Sequence, residues 1–379
     1  SVTNIAVGNG TRLAPEGTIF IAVRGMSLHK EIRVVQTDRP MTFNQDIKAI
    51  IPKGIDGQYL YYALLNQKPI LLSAVEPAGH GTGVLPTDKL AATTIPVPDG
   101  KDQQAIAAVL RALDDKVALN QLLNQSLETA ARALFKDWFL DFGPTRAKLD
   151  GRAPYLAEAL WSLFPATIDA SGKPGGWTTS TIGAEVDVVG GSTPSTKEAK
   201  YWGGTIAWAT PKDLSSLSTP VLLSTERQIS ALGLSQIGSG LLPAGTVLLS
   251  SRAPIGYLAI SDIPVAVNQG FIAMLCKRRL SNVFVWQWAQ ASMDQVHQRA
   301  NGSTFQEISK TNFRPIPVTV GTPDVHDAFD TLVRPMFDRI VSNNKEIRSL
   351  AATRDFLLPR LMSGEIRVKD AEKRVGEVA

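Results

Sequence analysis

Between Asp102 and Asp141 apolar residues recur every third or fourth position, at Leu110, Leu113, Val117, Leu127, Ala131, Leu134 and Trp138. Asn120 and Asn124 complete the same seam, and no Pro or Gly interrupts it. The pattern predicts one long helix with an a/d stripe. At about 1.5 Å per residue it makes a rod of roughly 55 to 60 Å, which needs a partner along its whole length. That partner is in the same chain. A shift of 223 residues carries Leu113 to Met336, Val117 to Ile340, Asn120 to Asn343, Leu127 to Leu350, Leu134 to Leu357 and Trp138 to Leu361. Two helices carry one seam and can cover each other as a pair. The recurring Asn either locks the register by meeting another polar group or sits at a solvated edge. Arg354 stands where the first copy has Ala131, so that end of the pair is expected to open towards solvent or a partner helix.

The rest of the pattern is shorter. Gly17 to Val23, Ile32 to Val35 and Ile47 to Ile51 are β-branched runs separated by turn residues, and Gln58 to Asn66 reads as a short helix. The chain therefore divides into a mixed α/β domain at 1–101, a long helix at 102–143, a connector at 144–176, a second α/β domain at 177–322, a second long helix at 323–366 and a tail at 367–379. Gly143-Pro144 stops the first helix, and the connector carries a short helix at Tyr155 to Phe164. The second domain repeats the first. Arg24 matches Arg252, Asn44-Gln45 matches Asn268-Gln269, and His80 to Pro98 matches Asn301 to Thr319, with offsets of 228, 224 and 221 residues. By this repeat the first domain lacks a counterpart of about fifty residues from Trp177 to Gln228, so it is either a shorter variant or incomplete in this chain.

Composition narrows the function classes. A chain of 379 residues with 44% hydrophobic and 20% charged residues is globular and long enough for two or three domains. Its formal charge of +4 permits a polyanionic partner without requiring one. Cys276, the single cysteine, sits in an apolar run as a buried thiol, so no disulfide framework exists and a reducing compartment fits. No apolar run approaches a membrane span, and Ser1 to Gly10 does not have the form of a signal peptide. These features predict a cytoplasmic protein with no membrane association.

Leu134 to Phe142, Gly190-Gly191-Ser192-Thr193-Pro194-Ser195, Tyr201-Trp202-Gly203-Gly204, Ile206-Ala207-Trp208 and Arg354 to Ile366 occur in this order. Together with the domain–helix–domain–helix repeat, this set resembles the specificity (S) subunit of type I restriction-modification systems. The resemblance implies two globular target recognition domains joined by an antiparallel two-helix coiled coil, with an internal pseudo-twofold repeat. It implies no catalysis in this chain. It further implies a bipartite, asymmetric site on double-stranded DNA, each domain reading one half, with the helices as a spacer. The implied partners are two methyltransferase subunits and restriction/translocase subunits, which would carry S-adenosylmethionine, ATP and Mg2+; this chain would hold no cofactor or metal. Independently, two reading heads on one face of a duplex should stand about one helical turn, roughly 34 Å, apart.

Candidate DNA contacts are basic, hydroxyl and amide residues in loops, since Arg and Lys suit phosphates and guanine edges while Asn and Gln suit adenine. In the second domain these are Thr193, Lys197, Lys200, Lys212, Arg252, Arg299, Asn301, Ser303, Gln306 and Lys310; in the first they are Arg24, His29, Lys30, Arg33, His80, Thr82 and Lys89. The recurrence of Arg24 and Arg252 fits a salt bridge equally well, and Asn44 and Asn268 fit turn formation better than base reading. Trp202 and Trp208 read as core, as does at least one of Trp286 and Trp288. Two rival readings are a coiled-coil adaptor that joins protein-binding domains without touching DNA, and a nuclease using Asp99, Asp115 and Lys116. Against the nuclease, Asp115 and Lys116 fall inside the long helix. His29, His80, His297 and His326 are scattered, and no phosphate-cradle or zinc motif is present.

Overall fold

The computed structural model describes residues 7, 11–302 and 306–376. The protein is mixed α/β and divides into two compact units, Ser1–Leu119 with Glu346–Ala379, and Asn120–Lys345. Each unit takes a stretch of both long helices, Gly100–Phe135 and Pro323–Ser363, into its own core.

In the first unit, Ile19–Ala22 is the middle strand of an antiparallel sheet between Val34–Gln36 and Ile47–Ile50. The helix Gly57–Asn66 follows, its first turn capped by Asp56, which accepts the Tyr59 N–H at 2.8 Å. A short helix, Lys68–Ser73, continues it. In the second unit, Val247–Ser251 lies between Ile255–Ser261 and Phe271–Leu275, again antiparallel. Here Asn282–Ala291 is capped by Ser281 and followed by Met293–Gln298. The two helix pairs have identical lengths of 10 and 6 residues, so the repeat extends to the backbone. The second unit also carries Trp202–Ala209 between Arg227–Ile229 and Ala266–Val267. Strands equivalent to Trp202–Ala209 and Arg227–Ile229 do not occur among the described residues of the first unit.

Within each unit the long helices run antiparallel. In the first, Asp114 meets Arg354 at 2.7 Å and Lys116 meets Glu346 at 3.3 Å. Leu113, Leu350 and Leu357 are buried with Tyr59 and Tyr62 of the capped helix, and Val117 packs against them. In the second, Phe135 lies 5.2 Å from Phe284 and 6.0 Å from Phe329, and Ile340 is fully buried, with Leu127, Leu134 and Met336 at its margin. The seam Asn residues are not at a solvated edge: Asn120 is 2% exposed and Asn343 0%. Asn343 Nδ2 donates to Asn124 Oδ1 at 2.8 Å. The polar partner of Asn343 is therefore Asn124 rather than the sequence-equivalent Asn120.

Four expectations need correction. Arg354 does not open the pair, because its guanidinium is held by Asp114 and Asp355, and Asp114 also accepts from the Tyr62 hydroxyl. The expected tail contains a helix, Val368–Gly376, anchored by buried Ala371 and by Arg360 and Arg374 flanking the Phe356 ring. The central helix leaves α geometry at Phe135 and ends in a π-helical turn, Lys136–Leu140, which places Trp138 and Phe139 together in the aromatic core. The connector also gains an unpredicted helix, Gly143–Leu149, and its expected helix is confined to Glu158–Ser162.

Candidate nucleic-acid interface

In the second unit the turn from Gly190 to Ser195 lies on the strand Ala266–Val267. Gly191 has no room for a side chain, since a Cβ would stand 1.7 Å from the Val267 carbonyl oxygen. The same carbonyl accepts the Ser192 N–H at 3.1 Å. Two tryptophans hold the turn from below: Trp208 Nε1 donates to Ser192 O at 3.3 Å, and Trp202 Nε1 to Ser195 O at 3.1 Å. Thr193, exposed at the tip, donates its hydroxyl hydrogen to Gln269 Oε1 at 2.7 Å. Lys310, in the first turn of Lys310–Phe313, has its ammonium beside Gly190. Thr193 and Gln269 thus meet at the tip of the turn, and Lys310 stands at its start beside Gly190.

The other candidates of this unit surround that centre unequally. Lys197 is exposed, and Lys200 pairs with Glu198 at 3.3 Å. Lys212 is engaged by Glu226 at 2.7 Å, which holds its ammonium pKa above the ordinary value. Arg252 meets Glu307 at 3.5 Å, whereas Arg24 makes no ion pair among the described residues and has Val84 opposite it, so the ion pair belongs to the second unit alone. Asn301 and Glu307 exchange both backbone hydrogen bonds at 2.9 Å and close the loop that carries exposed Gln306; Ser303 lies outside the described residues. Arg299 is exposed at the end of Met293–Gln298, and its carbonyl accepts from Asn312 Nδ2.

Sequence reasoning missed Arg227. Its guanidinium lies 3.5 Å from the Trp202 ring centroid and 5.4 Å from that of Trp208, and the two indoles meet edge-on at 5.0 Å. Trp208 is core, as expected, whereas Trp202 is partly exposed and serves as the shelf for this arginine. Trp286 and Trp288 are both buried.

In the first unit, Arg24–Gly25 pairs with Thr82–Val84, and the turn Met26–His29 follows directly. The His29 ring packs against Gly83, where a Cβ would stand 3.4 Å from it. His80 adopts a left-handed conformation at φ 61°. Arg24, His29, Lys30, Arg33, His80 and Lys89 are exposed, and Thr82 is partly buried. The backbone revises the alignment of this loop. Leu85 N–H donates to Val23 O and Ile308 N–H to Ser251 O, at 2.9 and 3.0 Å, so Lys89 corresponds to Asn312 and not to Lys310. Asn44 and Asn268 form the same turn, accepting the N–H two residues on at 3.1 and 2.9 Å, as the turn expectation had it. Gln45, equivalent to Gln269, lines a cleft of 540 Å³ with Arg12, Asn44 and Lys48. Arg12 and Lys48 were not among the sequence candidates; their signal was proximity to the recurring Asn-Gln pair.

The nuclease constellation is not assembled. Asp99 accepts the Lys101 and Asp102 N–H groups at the start of the central helix, Asp115 pairs with Arg111, and Lys116 with Glu346. Some sixteen helical residues, about 24 Å, separate Asp99 from Asp115. Among the described residues no three His, Cys, Asp or Glu side chains gather as a metal site would require, and no helix is long and apolar enough to cross a membrane. Cys276 is partly buried, and burial pushes its thiol up to about 12, which leaves it unreactive at neutral pH.

Residues 4–129 and 174–322 match the family model described as Type I restriction modification DNA specificity domain. The type I restriction enzyme MjaIX specificity subunit of Methanocaldococcus jannaschii is 30% identical over 194 residues, 51% of this chain and 45% of that protein. The HindI specificity subunit of Haemophilus influenzae is 26% identical over 324 residues, 74% of this chain and 70% of that protein. The chain thus spans less than half the length of the first of these relatives and about two thirds of the second. A crystal structure of a type I restriction-modification S subunit from M. genitalium shares the fold, with a TM-score of 0.55 at 17% identity, covering 92% of this chain and 83% of that one.

Proposed function

Because the chain belongs to the type I restriction-modification DNA specificity family, we propose that it is a non-catalytic specificity subunit that selects a bipartite DNA site and directs methyltransferase and restriction subunits to it. The observation that carries this is the rigid turn at Gly190–Ser195. There Thr193 and Gln269 present a hydroxyl and an amide at the tip and Lys310 an ammonium at the start, the donor and acceptor set that base edges and phosphates require. The first unit offers the equivalent Gln45 beside Arg12 and Lys48. S-adenosylmethionine, ATP and Mg2+ belong, on this proposal, to the partner subunits. The two long helices act as a spacer, which rests on the repeat in the sequence. Lengthening Asp102 to Asp141 and Val325 to Leu361 together by whole turns should change the number of unspecified bases and leave both half-sites intact.

The test is a genome-wide map of N6-methyladenine in cells expressing the chain with its cognate methyltransferase subunit, against cells lacking the chain. A two-part motif that disappears with the chain is the expected result. Absence of any chain-dependent motif, with both proteins expressed and associated, would favour the adaptor instead.

A further inference from the structure

Arg227 sits on the short strand Arg227–Ile229, at the open side of the Trp202–Trp208 pair. Its backbone is fixed: Arg227 pairs with Trp208 in the sheet, and its carbonyl accepts the Thr225 hydroxyl at 2.7 Å. Its guanidinium is fixed as well, stacked 3.5 Å from the Trp202 ring centroid. Stacking on an indole orients a guanidinium without consuming its in-plane N–H donors. Among the described residues no carboxylate pairs with it and no acceptor takes its side-chain hydrogen bonds, in contrast to Lys200, Lys212 and Arg252, each neutralised by a glutamate. The platform beneath it is the one that holds the turn at Gly190–Ser195, through the two indole N–H groups. A planar, oriented donor fork with nothing to bind, set on the scaffold of a turn that presents Thr193, is arranged for a planar acceptor pair outside the protein.

We propose that Arg227 is a specificity-determining residue that reads a guanine, donating to its O6 and N7 in the major groove; this rests on the DNA-specificity function proposed above. The assignment concerns the half-site read by the second unit, which carries Arg227.

The experiment uses the assembled complex of this chain with its methyltransferase, comparing wild type, Arg227→Ala and Arg227→Lys. The motif is taken from the genomic methylation map, and methylation rates are then measured on duplexes with each base at every position of both half-sites. Expected for Arg227→Ala is loss of preference at one G·C position of one half-site, on the order of 10- to 100-fold, as for loss of one bidentate pair. The other half-site stays unchanged. Arg227→Lys should keep overall DNA binding and relax the same position, because an ammonium lacks the fork. An unchanged motif with Arg227→Ala overturns the assignment. So does a uniform loss over all sites that Arg227→Lys fully restores, since that makes Arg227 a charge or packing element. A wild-type chain that directs no motif removes the parent function and this assignment together, and the wild-type arm separates that outcome from the others.

Discussion

Replacing one partner of the Asn124–Asn343 pair should cost more than replacing both. The side chains are 1% and 0% exposed and share one amide–amide hydrogen bond of 2.8 Å. In Asn343→Val the Asn124 carbonyl loses its donor where water does not reach it. Stranding a buried polar group costs about 1–3 kcal/mol. Asn124→Val strands the Asn343 amide in the same way. The double variant removes both amides, including Asn124 Nδ2 and Asn343 Oδ1, which have no partner among the described residues. Apolar side chains then face one another, and the net change should lie within about 1 kcal/mol of zero. The expected coupling is about 2 kcal/mol or more, since two costs of about 1–3 kcal/mol each are replaced by a change near zero. Urea unfolding of the four forms by far-UV circular dichroism measures it, and thermal midpoints give a second reading at about 2–4 °C per kcal/mol. A double variant as unstable as the sum of the singles, to within about 0.5 kcal/mol, would refute the pairing. In a polar seam pair the amides also specify register, so the double variant should form more non-native oligomers.

Three more predictions follow from the packing. Burial lowers the His326 pKa to about 4, with its Nε2 accepting the Gly321 N–H and its ring stacked on Phe139. The unfolded chain therefore takes up this proton first: the contribution is complete above about pH 6.5, falls by about 2 kcal/mol by pH 5 and is lost towards pH 4. His326→Gln should flatten the decline of the thermal midpoint between pH 7 and 5; parallel curves would sink the assignment. Gly191→Ala should destabilise the second unit by about 1–3 kcal/mol, whereas Gly190→Ala, whose Cβ meets its nearest atom at 3.4 Å, should be nearly neutral. Equal unfolding midpoints for the two would contradict the close approach to Val267. Arg354→Leu leaves Asp114 without its cation; with both side chains 28% exposed, the cost should be about 1–2 kcal/mol, and adding Asp114→Asn should recover most of it. No recovery in the double variant would mean that the ion pair is incidental.

The long helices were legible because a stripe kept over about ten turns has few other interpretations. Their pairing was not. A repeat identifies residues that are equivalent, and in an antiparallel pair equivalent residues lie opposite one another only at the symmetry axis. Asn343 meets Asn124, one helical turn from its equivalent Asn120, because side chains in a seam interdigitate instead of meeting head-on. The helix at Val368–Gly376 was hidden by its charge, although Val368, Ala371 and Val375 carry a helical period. What commits that segment is Phe356, clasped by Arg360 and Arg374, a contact that exists only once the chain turns at Gly364. The π-helical turn at Lys136–Leu140 had no local signal either; it follows from the demand to bury both Trp138 and Phe139 in one aromatic core.

For the candidate interface, recurrence pointed towards scaffold more than towards readout. Asn44 and Asn268 recur because both build the same turn. This has a physical basis: a shared fold needs the same turns in both units, whereas two different half-sites must be read by different side chains. Residues without a counterpart are then the better place to look for base contacts. Arg227 gave no signal along the chain because the indole that orients it lies twenty-five positions earlier. Lys310 lost its lysine counterpart once the backbone aligned Lys89 with Asn312. Exchanging Arg227, Thr193 and Lys310 should alter one half-site, while exchanging Asn268 should lower the unfolding midpoint and leave the motif as it is. A changed motif with Asn268→Ala at an unchanged midpoint would reverse that assignment.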